Sequence, residues 1–303
     1  MTPSLRISEE VAEALATHRP VVAMESTIFS ELGIPAPANR DCLDRCERAI
    51  RGGGAIPAMT AVIDGAGVVG VAPDELDRVM GGSKKVAARD LPHAVASGLG
   101  VGVTTVSATV TLAAAAGVSV FATGGIGGVH RGSELSLDIS HDLVALSRHP
   151  VVTVSAGAKA FLDLPGTLEY LETLGVPVVG WNTDRFPAFY TRDSGVAVPA
   201  TVTSGPEVAA MLRAGEHLRH PGGILVANPI PESDALDSER IDLALETALA
   251  EVDAKGLRGP AITPLVLGAI AAATDGDSIP ANLALAENNA AVAAEIAVAI
   301  AAG

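Results

Sequence analysis

The chain has 303 residues, of which 49% are hydrophobic and 18% are charged, and its formal net charge is −15 at pH 7. The apolar fraction is too high for a disordered protein. A strongly acidic chain repels phosphate backbones, which excludes nucleic-acid binding by bulk charge, so an anionic substrate would need a local basic pocket.

Strand and helix patterns alternate along the chain. We predict helices over 8–17, 39–51, 73–80, 105–116, 167–174, 206–214, 234–255, 263–273 and 281–301. We predict strands over 20–24, 118–122, 150–156, 176–181 and 222–229, and a hairpin that turns at Asp64 and Gly65. This order predicts an α/β protein, a three-layer α/β/α sandwich with a largely parallel mixed sheet, in a single domain over 1–303.

Two features bear on location and redox state. The segment 91–129 has no charged residue and is long enough to cross a bilayer, but glycines interrupt it, so we interpret it as buried strands and a helix. The first ten residues lack the apolar core of a signal peptide. We expect a cytoplasmic protein without a membrane partner. Cys42 and Cys46, one helical turn apart, are interpreted as reduced packing residues, with half of a metal site as the alternative.

Two polar residues follow predicted buried strands, at the end where α/β proteins bind ligands. Lys159 lies just beyond the strand over 150–156, and its desolvation would favour the neutral amine that forms Schiff bases with carbonyls. Glu25 ends the first predicted strand, and a partly buried carboxyl with a raised pKa is suited to donate a proton. The alternatives are a structural lysine and a hydrogen-bonding or capping glutamate.

A glycine-rich segment, TGGIGGVHRG over 123–132, follows another predicted strand. Its backbone amides could approach a phosphate, although it matches neither the dinucleotide nor the P-loop pattern, and a tight structural turn is the alternative. Downstream, Asp138 and Asp142 flank Ser140 and His141. Carboxylates there suggest a weakly held Mg²⁺ or Mn²⁺ near a phosphosugar, and a helix cap is the alternative.

Several strings together carry a resemblance to a known family. They are ESTI at 25–28, KVAARDLP at 85–92, FATGGIGGVHRG at 121–132, DISHDL at 138–143, SAGAKAFLDL at 155–164, ANPIP at 227–231 and NNA at 288–290. The chain resembles the pseudouridine-5′-phosphate glycosidases almost end to end. The resemblance implies an α/β/α fold, a homotrimer, a divalent cation such as Mn²⁺, and reversible joining of C1 of ribose 5-phosphate to a ring carbon of uracil.

The resemblance also implies roles for individual residues. Lys159 stands at the position of the Schiff-base lysine, Glu25 at that of the proton donor, and Asp138 at that of the metal-holding aspartate. The positions that match substrate contacts are Lys85, Val106, Ser140, Asp142 and Asn282, and we add His141, which stands where the family usually has alanine.

Departures from the family pattern fall near the expected base-binding half of the site. ESTIFSELGIP at 25–35 has no histidine and is one residue longer than usual, and Trp181 and Asn182 replace a glycine and tyrosine pattern. These changes resemble the alnumycin type of C-ribosylation. We therefore predict a C-glycosynthase that joins ribose 5-phosphate to an aromatic polyketide aglycone through a lysine Schiff base. The alternatives are a pseudouridine-5′-phosphate glycosidase, which releases uracil, and a non-catalytic phosphosugar-binding protein.

Overall fold

The structure is a computed structural model that describes residues 4–257 and 262–303. Its strands are β1 (Leu5–Ile7), β2 (Val21–Met24), β3 (Ile56–Ile63), β4 (Ala66–Val69), β5 (Lys85–Val86), β6 (Val101–Thr104), β7 (Val120–Ala122), β8 (Val152–Ser155), β9 (Val178–Trp181), β10 (Ala200–Val202) and β11 (Leu225–Ala227). Its helices are α1 (Glu9–Ala16), α2 (Ala38–Gly52), α3 (Leu76–Met80), α4 (Leu91–Ala96), α5 (Val106–Ala116), α6 (Ser133–Ser136), α7 (His141–Arg148), α8 (Leu164–Thr173), α9 (Gly205–His217), α10 (Ser238–Ala254), α11 (Ile262–Ala273) and α12 (Ser278–Ala301).

The centre of the sheet is parallel. Strands β3, β2, β7, β8, β11, β9 and β10 lie side by side in that order, and each pairs in parallel with the next. The strands β2, β7, β8 and β11 are buried along their whole length, which agrees with their apolar sequences. Their carboxyl ends therefore lie at one edge of the sheet.

Strand β3 joins this parallel part to an antiparallel part. Its first half, Ile56 to Met59, pairs with β2, and its second half extends beyond β2 and pairs antiparallel with β4 and β6. Because β6 runs against β3, its carboxyl end points toward the carboxyl end of β2. The short strand β5 runs parallel to β6, with Lys85 opposite Val103. This arrangement brings β5 and β6 to the same place as the ends of the central strands.

Helices cover both faces of the sheet, which confirms the predicted mixed α/β/α sandwich. Helix α5 packs on β2, β3 and β7 and against α7, whereas α12 packs on β2, β7 and β8 and against α2 and α9. Cys42 and Cys46 are free thiols buried on α2, which agrees with their interpretation as packing residues. The division of the chain into one domain stays a prediction.

The long apolar segments are part of this core. The segment 91–129 folds into α4, β6, α5 and β7, as its glycine interruptions indicate. Within the described residues, α12 is the one helix long and apolar enough to cross a bilayer, and 56% of that stretch is buried inside the structure.

The predicted hairpin is confirmed, and its turn explains the sequence there. Asp64 and Gly65 have φ angles of 50° and 77°, the combination that a two-residue turn between antiparallel strands requires. Two predicted helices are shorter than expected. Helix α3 begins at Leu76 after a turn, and α10 begins at Ser238 after a single 3-10 turn over Glu232–Asp234. The short strands β1, β5, β6 and β10 were not predicted.

Candidate active site

Polar side chains gather where the central parallel strands end. Glu25 directly follows β2, Thr123 directly follows β7, and Asn228 directly follows β11. Lys159 lies four residues beyond the end of β8, and its backbone amide donates to the carbonyl of Ile126 at 3.1 Å. Because these strands are parallel neighbours, the four side chains belong to one edge of the sheet.

The end of β6 meets this edge from the opposite direction. The amide of Thr104 donates to the hydroxyl of Ser26 at 2.9 Å, and the amide of Thr27 donates to the carbonyl of Thr104 at 3.2 Å. Helix α5 then begins at Val106, so its positive end faces the ends of the parallel strands. Lys85, on the neighbouring strand β5, lies beside the end of β6.

Glu25 is buried, with 8% of its surface exposed, and its Oε1 accepts a hydrogen bond from the Thr123 hydroxyl at 2.5 Å. Burial raises the pKa of the Glu25 carboxyl. The charge of Lys159, the Thr123 hydroxyl and the charge of Lys85 oppose this rise, and Asp142 adds to it. The net direction is upward, which favours the carboxylic acid, a proton donor.

Three basic groups lie in this part of the structure. Burial lowers the pKa of Lys85, and the charge of Lys159 lowers it further. Burial also lowers the pKa of His130, Asp138 opposes this, and Lys159 adds to the lowering. Lys159 therefore acts on both Lys85 and His130 through its charge, and Lys159 and Lys85 both act on Glu25.

The carboxylate of Asp142 accepts hydrogen bonds from two backbone amides. Its Oδ1 accepts from the amide of Ser107 at 2.8 Å, and its Oδ2 accepts from the amide of Gly127 at 2.9 Å. Ser140 caps α7, and its hydroxyl accepts from the amide of Asp142 at 3.2 Å. Asp142 therefore ties the start of α5 and the glycine-rich segment to the start of α7, where His141 is the first helical residue.

The glycine-rich segment is closely packed. A Cβ on Gly127 would lie 2.7 Å from Cβ of Ser140, and one on Gly128 would lie 2.8 Å from the Thr167 side chain. The amide of Ile126 donates to the carbonyl of Gly157 at 3.1 Å, and that of Gly127 donates to Asp142. At these positions the glycines have a structural role, because they permit close contact with α7 and α8. This agrees with the alternative of a tight structural turn.

Asp138 and Asp142 do not form a pair on one helix. Helix α7 begins at His141, so Asp138 lies before it, and its Oδ2 is 4.0 Å from Nδ1 of His130. Within residues 4–257 and 262–303, no group of three or more His, Cys, Asp or Glu side chains could hold a metal ion. Mg²⁺-like cations keep several waters and are often held by only one or two carboxylates. Asp138, half-buried, fits a largely hydrated cation of that kind.

Helix α12 contributes asparagines on one face. Asn282 donates through Nδ2 to the hydroxyl of Tyr190 at 2.9 Å, and burial raises the pKa of Tyr190 to about 12. Seven residues later, Asn289 donates to the carbonyl of Thr123 at 2.8 Å. Positions seven apart share a helix face, so Asn282 lies on the side of α12 that meets the strand ends.

The predicted residues divide into three groups. The structure brings Glu25, Lys159, Lys85 and Asp142 within electrostatic reach of one another. Val106, Ser140 and His141 lie at the starts of α5 and α7 beside them. Asn282 lies near the start of α12, and Asp138 lies ahead of α7. Sequence reasoning missed Thr123, which binds Glu25. Its position directly after a buried strand was the available signal.

Comparisons with known proteins show the family of the chain. A family model described as indigoidine synthase A like protein matches residues 10–299. Proteins of Methylobacterium nodulans and Chloroflexus aurantiacus, both named pseudouridine-5′-phosphate glycosidase, are 50% identical to the chain; each match covers 98% of the chain, with 88% and 98% of the relative, respectively.

Two solved structures are similar along almost the whole chain. The prealnumycin C-glycosynthase AlnA, in complex with ribulose 5-phosphate, has a TM-score of 0.91 and 39% identity, covering 99% of this chain and 98% of AlnA. An indigoidine synthase A-like protein from Thermotoga maritima has a TM-score of 0.87 and 35% identity, covering 98% of this chain and 97% of the other.

Proposed function

The chain belongs to the family of indigoidine synthase A like proteins, and from this premise we propose that it is a pseudouridine-5′-phosphate glycosidase. The observation that carries the proposal is the buried carboxyl of Glu25 with Lys159 and Lys85 within electrostatic reach. Relatives of that name are 50% identical over nearly the full chain. These relatives favour the glycosidase over the synthase that a few altered positions led us to predict.

In the proposed reaction, Glu25 acts first. Its carboxylic acid gives a proton to the ring oxygen of the ribose as the bond from that oxygen to C1 breaks. The raised pKa of Glu25 favours the protonated carboxyl that this step requires. The neutral amine of Lys159 then adds to C1 and forms a covalent carbon–nitrogen bond.

The adduct makes carbon–carbon cleavage feasible. The carboxylate of Glu25, which lost its proton in the first step, takes a proton from the new ammonium and leaves a secondary amine. The lone pair of this amine forms a C=N bond to C1 as the bond from C1 to the uracil ring carbon breaks, and that ring carbon takes the proton back from Glu25. Water then hydrolyses the iminium, which releases ribose 5-phosphate and restores the amine of Lys159. Every step is reversible, so the same groups serve synthesis when both products are abundant.

We propose that the remaining predicted residues hold the sugar phosphate. Lys85 supplies positive charge beside the positive end of α5, which begins at Val106, and such helix ends favour anions. Ser140, His141 and Asp142 border the same place at the start of α7, and Asn282 approaches from α12. Asp142 acts there mainly as the support of the segment around Gly127.

We propose that Asp138 holds a divalent cation such as Mn²⁺ together with water. When bound, the cation supplies positive charge that favours a phosphorylated substrate. The predicted homotrimer stays a prediction. The cytoplasmic location stays a prediction.

The test is direct. The purified protein is incubated with pseudouridine 5′-phosphate and Mn²⁺, and uracil is measured over time. We expect turnover at rates of roughly 1–1000 per second, as is usual for metabolic enzymes. Glu25→Gln is the matched variant, because it keeps the shape of the side chain and loses the acid. Uracil release that is absent in the wild type, or unchanged in Glu25→Gln, contradicts the proposal.

A second candidate function is C-glycosynthesis on an aromatic aglycone. The observation that favours it is the similarity to AlnA over 99% of the chain, together with the altered segment 25–35. Incubation with ribose 5-phosphate and either uracil or a polycyclic phenol separates the two. A product with the phenol alone supports the synthase, and a product with uracil alone supports the glycosidase.

A further inference from the structure

Hydrogen bonds link four buried residues in series: Asn228, Asn289, Thr123 and Glu25. Asn228 donates through Nδ2 to Oδ1 of Asn289 at 2.9 Å. Asn289 donates through Nδ2 to the carbonyl of Thr123 at 2.8 Å, and the hydroxyl of Thr123 donates to Oε1 of Glu25. The series begins at the end of β11, crosses to α12 and ends at the predicted proton donor.

The position of Asn289 calls for an explanation. It is fully buried in the middle of a helix whose neighbouring residues are mostly alanine, and asparagine is a poorer helix former than alanine. A buried amide costs free energy unless all its polar atoms find partners. Asn289 meets this condition only because Asn228 and Thr123 lie where they do, so packing alone does not account for it.

The consequence of these bonds is that Thr123 has little freedom. Its amide donates to the carbonyl of Val154 at 3.0 Å, and its own carbonyl accepts from Asn289. Threonine is stiff about its first side-chain torsion, so a fixed backbone also fixes the direction of the hydroxyl. Since this hydroxyl donates to Oε1 of Glu25, the acidic proton of Glu25 belongs on Oε2.

We propose that Asn289 is a positioning residue for the proton donor: it fixes Thr123, and Thr123 orients the carboxyl group of Glu25 so that Oε2 carries the proton toward the substrate. This inference rests on the proposed role of Glu25. It adds that α12, which carries no group in contact with Glu25, controls the geometry of the acid.

The inference has a pH signature. Lys159, Lys85 and Asp142 are the charged groups that act on Glu25, and the Thr123 hydroxyl lowers the pKa of Glu25 along with the two lysines. Removal of that hydroxyl raises the pKa of Glu25 further. Because the protonated acid is the active form, the alkaline limb of the rate profile moves to higher pH, although the misplaced acid reacts more slowly.

The experiment compares Thr123→Val, Thr123→Ser and Asn289→Ser with the wild type in uracil release. For Thr123→Val we expect a loss in kcat of roughly tenfold, part of what general acid catalysis contributes, with KM nearly unchanged and the alkaline limb displaced upward. Thr123→Ser restores the profile because it restores the hydroxyl. The matched control is Thr153→Val on β8, which removes a buried hydroxyl that has no hydrogen-bond partner among the described residues.

Asn289→Ser tests the second link. We expect a displacement in the same direction as in Thr123→Val, and a double variant no slower than Thr123→Val alone, since both act through one bond. An unchanged pH profile in Thr123→Val, or losses that multiply in the double variant, would overturn the inference.

A second readout does not depend on activity. The Glu25 carboxyl is titrated by carbon NMR of glutamate-labelled protein, with Glu25→Gln to assign the signal. A higher pKa of Glu25 in Thr123→Val and Asn289→Ser supports the positioning role of Asn289, and an unchanged pKa contradicts it. If the wild type releases no uracil, the proposed function fails, and this titration still decides whether Asn289 and Thr123 position Glu25.

Discussion

Oδ2 of Asp142 accepts a hydrogen bond from the backbone amide of Gly127 at 2.9 Å, and this bond holds the glycine-rich segment against the first turn of α7. The same carboxylate accepts the amide of Ser107 at the start of α5. One buried side chain thus holds three segments of the candidate site. Two backbone amides stabilise its charge.

Asp142→Asn is expected to destabilise the protein. The asparagine keeps one acceptor oxygen, but its NH₂ group faces a backbone amide that is also a donor, so one hydrogen bond is lost. The free energy of unfolding should fall by roughly 1.5–3 kcal/mol. Urea denaturation measures this loss. Asp242→Asn, on the exposed face of α10, is the control and leaves the midpoint unchanged. Equal midpoints for Asp142→Asn and the wild type would show that the two amide bonds contribute little.

Gly127→Ala is expected to disturb the same junction. The new methyl group would lie 2.7 Å from Cβ of Ser140 and 2.8 Å from Oδ2 of Asp142, so the start of α7 must move. Such overpacking costs about 1–3 kcal/mol. Gly52→Ala is the matched control, because nothing lies within 4 Å of its added Cβ. Thermal unfolding and uracil release should both fall for Gly127→Ala alone; parallel results for the two variants contradict this reasoning.

Lys159→Arg is expected to abolish the covalent adduct. Arginine keeps the positive charge that acts on Glu25 but has no amine that can form a Schiff base. The protein is treated with ribose 5-phosphate and borohydride, and its peptides are mapped by mass. The wild type should carry the reduced adduct on Lys159. Exposed Lys84 provides the internal control, and label on Lys84 or on another lysine in its place would refute the assignment.

Glu25→Gln is expected to be inactive and yet more stable at alkaline pH. The folded pKa of Glu25 lies above its ordinary value of 4.5, so the folded protein binds this proton more tightly than the unfolded chain does. Stability from this group is therefore complete below the ordinary value and is lost as pH rises to the folded pKa. Every tenfold difference in proton affinity is worth about 1.4 kcal/mol.

Urea midpoints at acidic and alkaline pH check this sign. The advantage of Glu25→Gln over the wild type should be present at pH values above the folded pKa and should shrink in acid. Glu9→Gln, at the exposed start of α1, serves as control. An advantage confined to acid would mean that the lysines outweigh burial at Glu25.

Tyr190→Phe is expected to weaken substrate binding without blocking adduct formation. Its hydroxyl accepts from Asn282, and it stays protonated because its pKa is raised to about 12. Loss of one hydrogen bond of about 1 kcal/mol corresponds to a rise of about fivefold in KM for pseudouridine 5′-phosphate. Tyr170→Phe on α8 is the matched control. A KM that stays at the wild-type value would remove Asn282 from the binding surface.

Local patterns predicted the central strands and the residues that follow them. The apolar runs that form β2 and β8 are bounded by polar residues, so Glu25 and Lys159 were recognisable as candidates. Their proximity was not, because it depends on the strand order β2, β7, β8, β11, which no local pattern contains. Thr123 was missed for that reason: threonine is common, and only the pairing of β2 with β7 gives it a partner.

The two aspartates show the limit of spacing as a signal. Asp138 and Asp142 are four residues apart, but a helix begins between them at His141, and Ser140 caps it. Helix starts depend on such caps as well as on spacing. The strand β5 has only two residues, so it offers no periodicity to detect, and the place of Lys85 became visible only through its pairing with β6.

The position of α12 after every strand has a consequence for biosynthesis. A chain emerging from the ribosome exposes Glu25, the two lysines that act on it, and Thr123 before Asn289 has been made. If α12 orients the acid, the nascent polypeptide carries a carbonyl-reactive amine without an aligned proton donor. Catalytic competence then arrives only with the last helix.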